Sequence, residues 1–305
     1  MKFTIIIIGY NTSQDLKSCL LAINKQTAIN AKIDVLYVDD GSKDDSVEVF
    51  NNFNLKFAKN CIVHHKNLGR NHARNSAIKA ATGEWCLFIN SNIILNNNVI
   101  NNYLNQINKN KADIITGNIK YSCHDKVFEK YLNSSIRGLN NYKKKQFIPY
   151  YYLLFSNACI KTSIFKKNFF NIYFDGYGGS ELELAYRLNK SSNILFIPDT
   201  IALRNNHPSL KTHIYRIQSF GENYIDFLFD KILLNDLPSI YRIFKLFTNS
   251  LMIIFFPFMI FNRWFLFKII PFVPKDSSFL LIKFILGLSM IIGIIKNTFI
   301  KKWRK

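Results

Sequence analysis

Acidic side chains are scarce in this chain, which has 20 aspartates and glutamates against 40 lysines and arginines, a formal net charge of +20. The shortage is greatest in residues 243–305, where Asp276 is the single acid. The basic residues there flank apolar runs, which favours anionic lipid headgroups as a partner. No nucleic-acid recognition motif is present, so we expect no nucleic-acid partner.

Cysteine is also sparse, and the five thiols are never spaced as a metal-binding knuckle or a redox pair. Their odd number and scatter favour a reducing compartment. The first apolar run, "MKFTIIIIGYN", is too short for a signal-peptide core with its cleavage site, so it is interpreted as a first strand.

Short apolar runs alternate with helical patterns from residue 1 to about residue 120, which is typical of a parallel α/β sheet. The predicted strands are 3–10, 33–40, 61–65, 84–90 and 112–119. The predicted helices are 13–24, 44–51 and 71–80, the second of them capped by Ser42. Ligands of such sheets bind at the carboxyl ends of the strands.

The region from 121 to 242 is less regular, but no linker separates it from the first part. A helix from Glu181 to Asn189 is predicted after a glycine-containing turn, followed by a strand over 193–203. We therefore expect one domain over 1–242, with a first half 1–120 and a second half 121–242.

Two apolar runs of about 17 residues, 246–262 and 279–295, lie within the basic segment 243–305. Each is at the lower limit for crossing a bilayer, so both interface-lying and spanning helices fit. Pro257, Pro271 and Pro274 are expected to break the helices. The basic flanks predict the cytoplasmic face of a bacterial membrane; a buried helical hairpin of a soluble protein is the alternative.

Four motifs follow one another between residues 3 and 207: "IIIIGYNTSQDLKSCLLAINKQT", "YVDDGSKDDS", "NLGRNHARNSAIKAATGEWCLFI" and "FDGYGGSELELAYRL", with an isolated "NNH" after them. In this order the chain resembles the family 2 glycosyltransferases. The resemblance implies a GT-A fold, which is a Rossmann-like, mainly parallel sheet flanked by helices. We accordingly expect 1–120 to bind the nucleotide sugar and 121–242 the acceptor, while the apolar runs and basic flanks of 243–305 predict a membrane-associated helical segment.

Two motifs match the family's nucleotide-binding residues. By resemblance, Asp39 and Asp40 contact the base and ribose, and Arg74 faces the nucleotide and diphosphate, with Arg70 and His72 beside it. A carboxylate at a strand end can accept from a ring N–H or a ribose hydroxyl. Each motif also has a purely structural alternative. The two aspartates would belong to a turn that enters the next helix, and the arginines and His72 to a solvated basic helix face.

Glu181 aligns with the family's catalytic aspartate, which takes the proton from the acceptor hydroxyl. Ser180 stands where the family has a first acid, and Gly179 and Glu183 complete the predicted contacts with acceptor or donor sugar. The alternative is an acidic first turn that the helix dipole favours.

The turn Asn90-Ser91-Asn92 matches the family's D-x-D motif, whose aspartates hold Mg²⁺ or Mn²⁺ on the diphosphate, but here both positions are amides. An amide oxygen can ligate a hard cation but adds no negative charge. By resemblance, His207 matches a histidine that in parts of the family binds the metal or the diphosphate. We predict a weakened metal site at Asn92 and His207, and a metal-independent reaction stays open. Asn90 and Asn92 remain candidate nucleotide-sugar contacts.

The leading prediction is an inverting glycosyltransferase that moves a sugar from a nucleotide sugar, UDP-linked by expectation, to a lipid-linked or cell-surface glycan in polysaccharide biosynthesis. The alternative is a non-catalytic relative that binds a sugar nucleotide or scaffolds a partner at the membrane. The lost metal carboxylates motivate that alternative, whereas the retained acids and Arg74 oppose it.

Overall fold

The computed structural model describes residues 1–27, 30–109, 112–174, 177, 179–230 and 255–303. The chain forms two compact units. Unit 1 comprises Met1–Ser122, Asn133–Tyr173 and Ser180–His207, and unit 2 comprises Cys123–Leu132, Phe174–Gly179 and Pro208–Lys305. The domain boundary predicted at residue 242 lies outside the described residues.

A mixed sheet forms the centre of unit 1, with the strand order β3-β2-β1-β4-β8-β6-β9-β5 and β7 paired with β9. The first four strands in this order are parallel, and β8 runs antiparallel to β4 and β6. The strands are β1 (Lys2–Gly9), β2 (Lys32–Asp39), β3 (Ala58–Val63), β4 (Trp85–Asn90), β5 (Ile93–Leu95), β6 (Ile114–Tyr121), β7 (Gln146–Ile148), β8 (Ala158–Lys161) and β9 (Ile194–Arg204).

Ten α-helices are described: α1 (Ser13–Asn24), α2 (Ser46–Asn52), α3 (Arg70–Ala80), α4 (Val99–Lys109), α5 (Lys126–Leu132), α6 (Thr162–Phe165), α7 (Gly179–Asn189), α8 (Leu210–Asp230), α9 (Phe256–Ile269) and α10 (Lys275–Trp303). The strands and helices predicted for unit 1 are confirmed. The predicted Ser42 cap is wrong, because α2 begins at Ser46 and the Ser42 hydroxyl donates instead to Asp39 at 2.6 Å.

The core of unit 1 follows from apolar runs that are buried on both sides of the parallel strands. Ile5 and Ile7 of β1 have no exposed surface, and Leu16 and Leu20 of α1 are equally buried in the same cluster. Each such aliphatic side chain contributes about 2 kcal/mol on burial. This packing fixes the ends of β1, β2 and β4.

Unit 2 contains the apolar C-terminal helices. Within the described residues, one segment, Ser277–Asn297 of α10, is long and apolar enough to cross a membrane, and 61% of its most apolar window is buried. Core helices of soluble proteins can have the same length and composition. The run predicted over 246–262 lies partly outside the described residues, and α9 begins at Phe256, with Pro257 in its first turn.

Candidate functional site

Three parallel strands end side by side at one edge of the sheet. Gly9 of β1 pairs with Asp39 of β2, and Ile8 of β1 pairs with Asn90 of β4. The chain then turns away from each strand, so the backbone and side chains of these turns surround a common space. This is the edge at which open α/β sheets bind ligands.

A cavity of about 330 Å³ opens at this edge. Its lining includes Asp40, Asn90 and Asn92, so the structure brings together three predicted site residues from two strand ends. Asp39, Arg74, Glu181 and His207 do not line it. The lining residues are Ile8, Gly9, Tyr10, Thr12, Asp15, Asp40, Asn67, Arg70, Asn90, Ser91, Asn92 and Arg204.

Asp39 is fully buried beneath the cavity edge and is bound by the protein itself. Its carboxylate accepts from the backbone N–H of Ser42 at 2.7 Å, the Ser42 hydroxyl at 2.6 Å and the Tyr37 hydroxyl at 2.9 Å. Burial and the neighbouring Asp39 carboxylate raise the pKa of Tyr37 well above its usual value. These hydrogen bonds indicate that Asp39 stabilises the turn after β2.

Asp40 faces the cavity and also anchors its wall. Oδ1 lies 2.8 Å from Nδ1 of His64 and accepts from the Leu68 N–H at 3.1 Å, while Oδ2 accepts from the Gly69 N–H at 2.9 Å. A carboxylate has about four acceptor positions, so Asp40 keeps capacity for a ligand N–H or hydroxyl. The same bonds fix the loop that leads to Arg70.

The two amides of the Asn90-Ser91-Asn92 turn make different contacts from those an aspartate would make. Nδ2 of Asn90 donates to the Ser156 hydroxyl at 2.9 Å, and Nδ2 of Asn92 donates to the Asn205 carbonyl at 3.3 Å. A carbonyl only accepts, so an aspartate at position 92 would lose this bond. Asn92 thus ties the turn after β4 to the turn after β9.

Arg74 and Glu181 form an ion pair within unit 1, although 107 positions separate them in the sequence. Arg74 is 2% exposed, and its guanidinium lies over the Phe170 ring at 4.7 Å. The Glu181 side chain is 33% exposed, in the first turn of α7. Burial raises the pKa of Glu181. The positive charge of Arg74 lowers this pKa, with help from Arg70 and Arg204, and together they outweigh burial, so the pKa is below its usual value.

The other predicted residues of the acceptor side lie close to Glu181 along the chain. Gly179 and Ser180 begin α7, and Ser180 is buried. Glu183 is also buried and accepts from Arg187, one turn later, at 2.5 and 2.8 Å. Its charge is therefore neutralised within the helix.

The donor groups around the cavity do not fit a resident divalent cation. Among the described residues, no group of three histidines, cysteines or acids could hold a metal. Of the two carboxylates that line the cavity, Asp40 accepts three hydrogen bonds, and Asp15 accepts two, from Asn206 at 2.7 Å and from Asn205 at 3.5 Å. His207 is buried, with its ring edge-on to Tyr121 at 5.0 Å, so its ligand role stays a prediction.

Sequence reasoning did not identify Arg204, which lines the cavity at the end of β9. Its Nε is buried and has no hydrogen-bond partner in the part of the chain that the structure describes. The signal for this residue was present, because a single arginine ends the predicted strand just before "NNH". The position of Arg204 at the cavity depends on strand pairing, because β9 pairs with β5, which follows the Asn92 turn.

Two solved structures share this fold. TarS of Staphylococcus aureus, residues 1–349 in complex with UDP, aligns over 99% of this chain and 92% of its own with a TM-score of 0.62 and 15% identity. The mannosyltransferase PcManGT from Pyrobaculum calidifontis, in complex with GDP-Man and Mn²⁺, aligns over 98% and 87% with a TM-score of 0.65 and 16% identity. At these identities the likeness concerns the fold, which is GT-A.

Sequence relatives match a shorter stretch. Glycosyltransferase GlyG of Streptococcus pneumoniae serotype 4 is 33% identical over 116 residues, and the poly(ribitol-phosphate) beta-glucosyltransferase of Bacillus spizizenii is 31% identical over 123 residues. These matches cover 38% and 39% of this chain but only 38% and 19% of the relatives. The profile described as "Glycosyl transferase family 2" matches residues 4–170, more than half of the chain, and the protein therefore belongs to that family of glycosyltransferases.

Proposed function

We propose that this protein transfers a sugar from a nucleotide diphosphate sugar to a glycan or polyol-phosphate acceptor, with inversion at the anomeric carbon. The observation that carries the proposal is the cavity at the strand ends, where Asp40, Asn90 and Asn92 meet two arginines. Its volume, about 330 Å³, lies at the lower end of the range for small-molecule sites. The UDP complex of TarS and the polymer acceptor named for the Bacillus spizizenii relative support the choice of substrates.

The donor would occupy the cavity with its base near Asp40 and its diphosphate near the arginines. The free acceptor position of the Asp40 carboxylate suits a ring N–H such as that of uracil. The amide oxygens of Asn90 and Asn92 can accept from ribose or sugar hydroxyls, because their N–H groups are directed at Ser156 and Asn205. Asp39 would act indirectly, by holding the turn that carries Asp40.

Glu181 would act as the general base. In the reaction, its carboxylate takes the proton of an acceptor hydroxyl as the new bond from acceptor oxygen to anomeric carbon forms. The bond from the anomeric carbon to the phosphate oxygen breaks, and the diphosphate leaves with the electron pair. The ion pair with Arg74 keeps Glu181 ionised and oriented, at the cost of some basicity.

Unit 2 would bring the enzyme to the membrane surface at its cytoplasmic face. Helix α9 has no buried residue, and it exposes several large aromatic side chains: Phe258, Phe261, Trp264 and Phe265. Arg263 and Lys268 lie on the same helix, and with Trp264 and Lys211 they line a second cavity of about 330 Å³. Aromatic rings flanked by cations suit the headgroup region of an anionic bilayer.

The membrane proposal predicts that Phe261→Ser combined with Trp264→Ser lowers binding to phosphatidylglycerol liposomes by about tenfold or more, because two exposed aromatic rings can no longer insert into the bilayer interface. Co-sedimentation of the full chain with liposomes measures the effect. Tyr173→Ser, which removes a ring that is 89% exposed in unit 1, is the matched control and should leave binding unchanged. Equal loss in both variants would contradict the proposal.

A donor panel tests the catalytic proposal. The full chain is incubated with UDP- and GDP-sugars and a bacterial glycan or polyol-phosphate extract, separately in Mn²⁺, Mg²⁺ and EDTA, and release of the nucleotide diphosphate is measured. Release that depends on both donor and extract is expected. Tight binding of a nucleotide diphosphate without any release, across the whole panel and several extracts, would favour the non-catalytic alternative.

A further inference from the structure

The cavity has a charge distribution that differs from a metal-centred donor site. Its cationic groups are Arg70 and Arg204, and its carboxylates are Asp15 and Asp40. Both carboxylates already accept hydrogen bonds from the protein. Asp40 accepts from His64 and the 68–69 backbone, and Asp15 accepts from Asn205 and Asn206. The two guanidinium groups are therefore the charges best placed to meet a ligand.

Arg204 is held on both sides by the sheet. As the last residue of β9 it pairs with Ile93 of β5 and with Tyr121 of β6, and its carbonyl accepts from the Ser122 N–H at 3.0 Å. Backbone fixed in this way loses little conformational freedom when a ligand binds, so only the Arg204 side chain has to be ordered.

The Nε of Arg204 is buried and lacks a hydrogen-bond partner among the described residues. A buried donor without a partner lowers the stability of the fold, because it has lost its hydrogen bond to water. Such a cost is recovered when an anionic ligand supplies the acceptor, and a guanidinium matches the oxygens of a phosphate with two parallel N–H groups.

Arg70 is the second arginine that lines the cavity. It is exposed and begins α3, and the loop before it is fixed by the bonds from Leu68 and Gly69 to Asp40. The start of a helix carries partial positive charge, which favours an anion at the same place. Both arginines also act on Glu181, where each lowers the pKa of the carboxyl.

We propose that Arg70 and Arg204 bind the donor's diphosphate directly and supply the positive charge that a carboxylate-held metal would otherwise provide. The amides belong to the same arrangement, because Asn92 ties its turn to Asn205, next to Arg204, through a bond that an aspartate could not donate. This inference rests on the proposed function and adds how the leaving group is neutralised. In this proposal Arg204 binds the diphosphate, and Asn92 positions Arg204.

Binding of UDP and UMP in EDTA tests the inference, with GDP and GMP as a second pair, by calorimetry on the full chain. One of the two bases, uracil or guanine, is expected to bind. For that base, the nucleoside diphosphate should bind about tenfold more tightly than the monophosphate, because its second phosphate gains charge-assisted hydrogen bonds from the arginines. Arg204→Gln and Arg70→Gln should each reduce this ratio towards one, while monophosphate affinity changes little. Lys66→Gln, which removes a cation that does not line the cavity, is the control and should keep the ratio.

The outcomes separate this inference from the proposed function. Equal affinity for diphosphate and monophosphate in EDTA, with a tenfold gain for the diphosphate in Mn²⁺, would overturn the arginine assignment and leave the donor site standing. Because that comparison uses the unaltered chain, it does not depend on the folding of a variant. No binding of any of the four nucleotides would overturn the donor site and the inference together.

Discussion

Arg74 and Arg204 lie in the same compact unit and differ in what surrounds their charge. Arg74 is 2% exposed, pairs with Glu181 and covers the Phe170 ring, so the fold itself satisfies its guanidinium. Arg204 lines the open cavity and leaves a buried Nε without a partner in the described residues. The neutralised charge of Arg74 holds Glu181, the proposed base, in place, whereas the unmatched Nε of Arg204 can donate to a ligand.

Glu181→Gln should produce the largest effect. The amide keeps a hydrogen bond to Arg74 but cannot take a proton, so the transfer rate should fall by a factor of about 10² to 10⁴. The affinity for UDP should stay within about twofold, since Glu181 does not line the cavity. Transfer assays and calorimetry on the same preparation measure both. Glu48→Gln, on α2, is the matched control, and unchanged transfer by Glu181→Gln would remove Glu181 as base.

Arg74→Met should lower the free energy of unfolding by about 3 kcal/mol, because it leaves the partly buried Glu181 carboxylate without its partner. Urea unfolding of the full chain measures the change. Lys161→Met breaks a more exposed ion pair, with Asp113 at 3.3 Å, and should cost less than about 1 kcal/mol. Equal costs for the two variants would mean that the Arg74 pair is no more important than a surface pair.

Asn90→Asp combined with Asn92→Asp should make the cavity more like a metal site. Two added carboxylates should raise Mn²⁺ affinity by about tenfold or more, as measured by calorimetry. Asn67→Asp adds one negative charge to the same cavity outside this turn, so it serves as the control with a smaller gain. No change in divalent binding in the double variant would mean that the turn after β4 is not the metal position of the family.

The smallest expected effect concerns pH. The pKa of Glu181 is lowered in the folded state, so its ionisation stabilises the fold above the unfolded-state pKa of about 4.3, and this contribution is lost as pH falls through the folded-state pKa. The stability difference between the wild type and Glu181→Gln should therefore narrow from pH 7 to pH 3. Urea unfolding at both pH values measures it, and a constant difference would contradict the lowered pKa.

The sheet of unit 1 was predictable because its signals are local. The isoleucine run of β1 and the strand-end Asp39 and Asn90 fix both the strands and the edge where ligands bind. The Arg74–Glu181 ion pair and the bond from Asn92 to the Asn205 carbonyl were not predictable, because each joins residues more than 100 positions apart. Arg204 was missed for the same reason, since its position depends on the pairing of β9 with β5 and β6.

The central claim is that a nucleotide diphosphate binds in the cavity at the strand ends and is held there by arginines. A crystal structure of the full chain with UDP, grown in EDTA, tests it most directly. The account predicts a phosphate oxygen within about 3 Å of Nε of Arg204, with the base beside Asp40. UDP bound elsewhere, or phosphates in the cavity that leave Arg204 without contact, would contradict it.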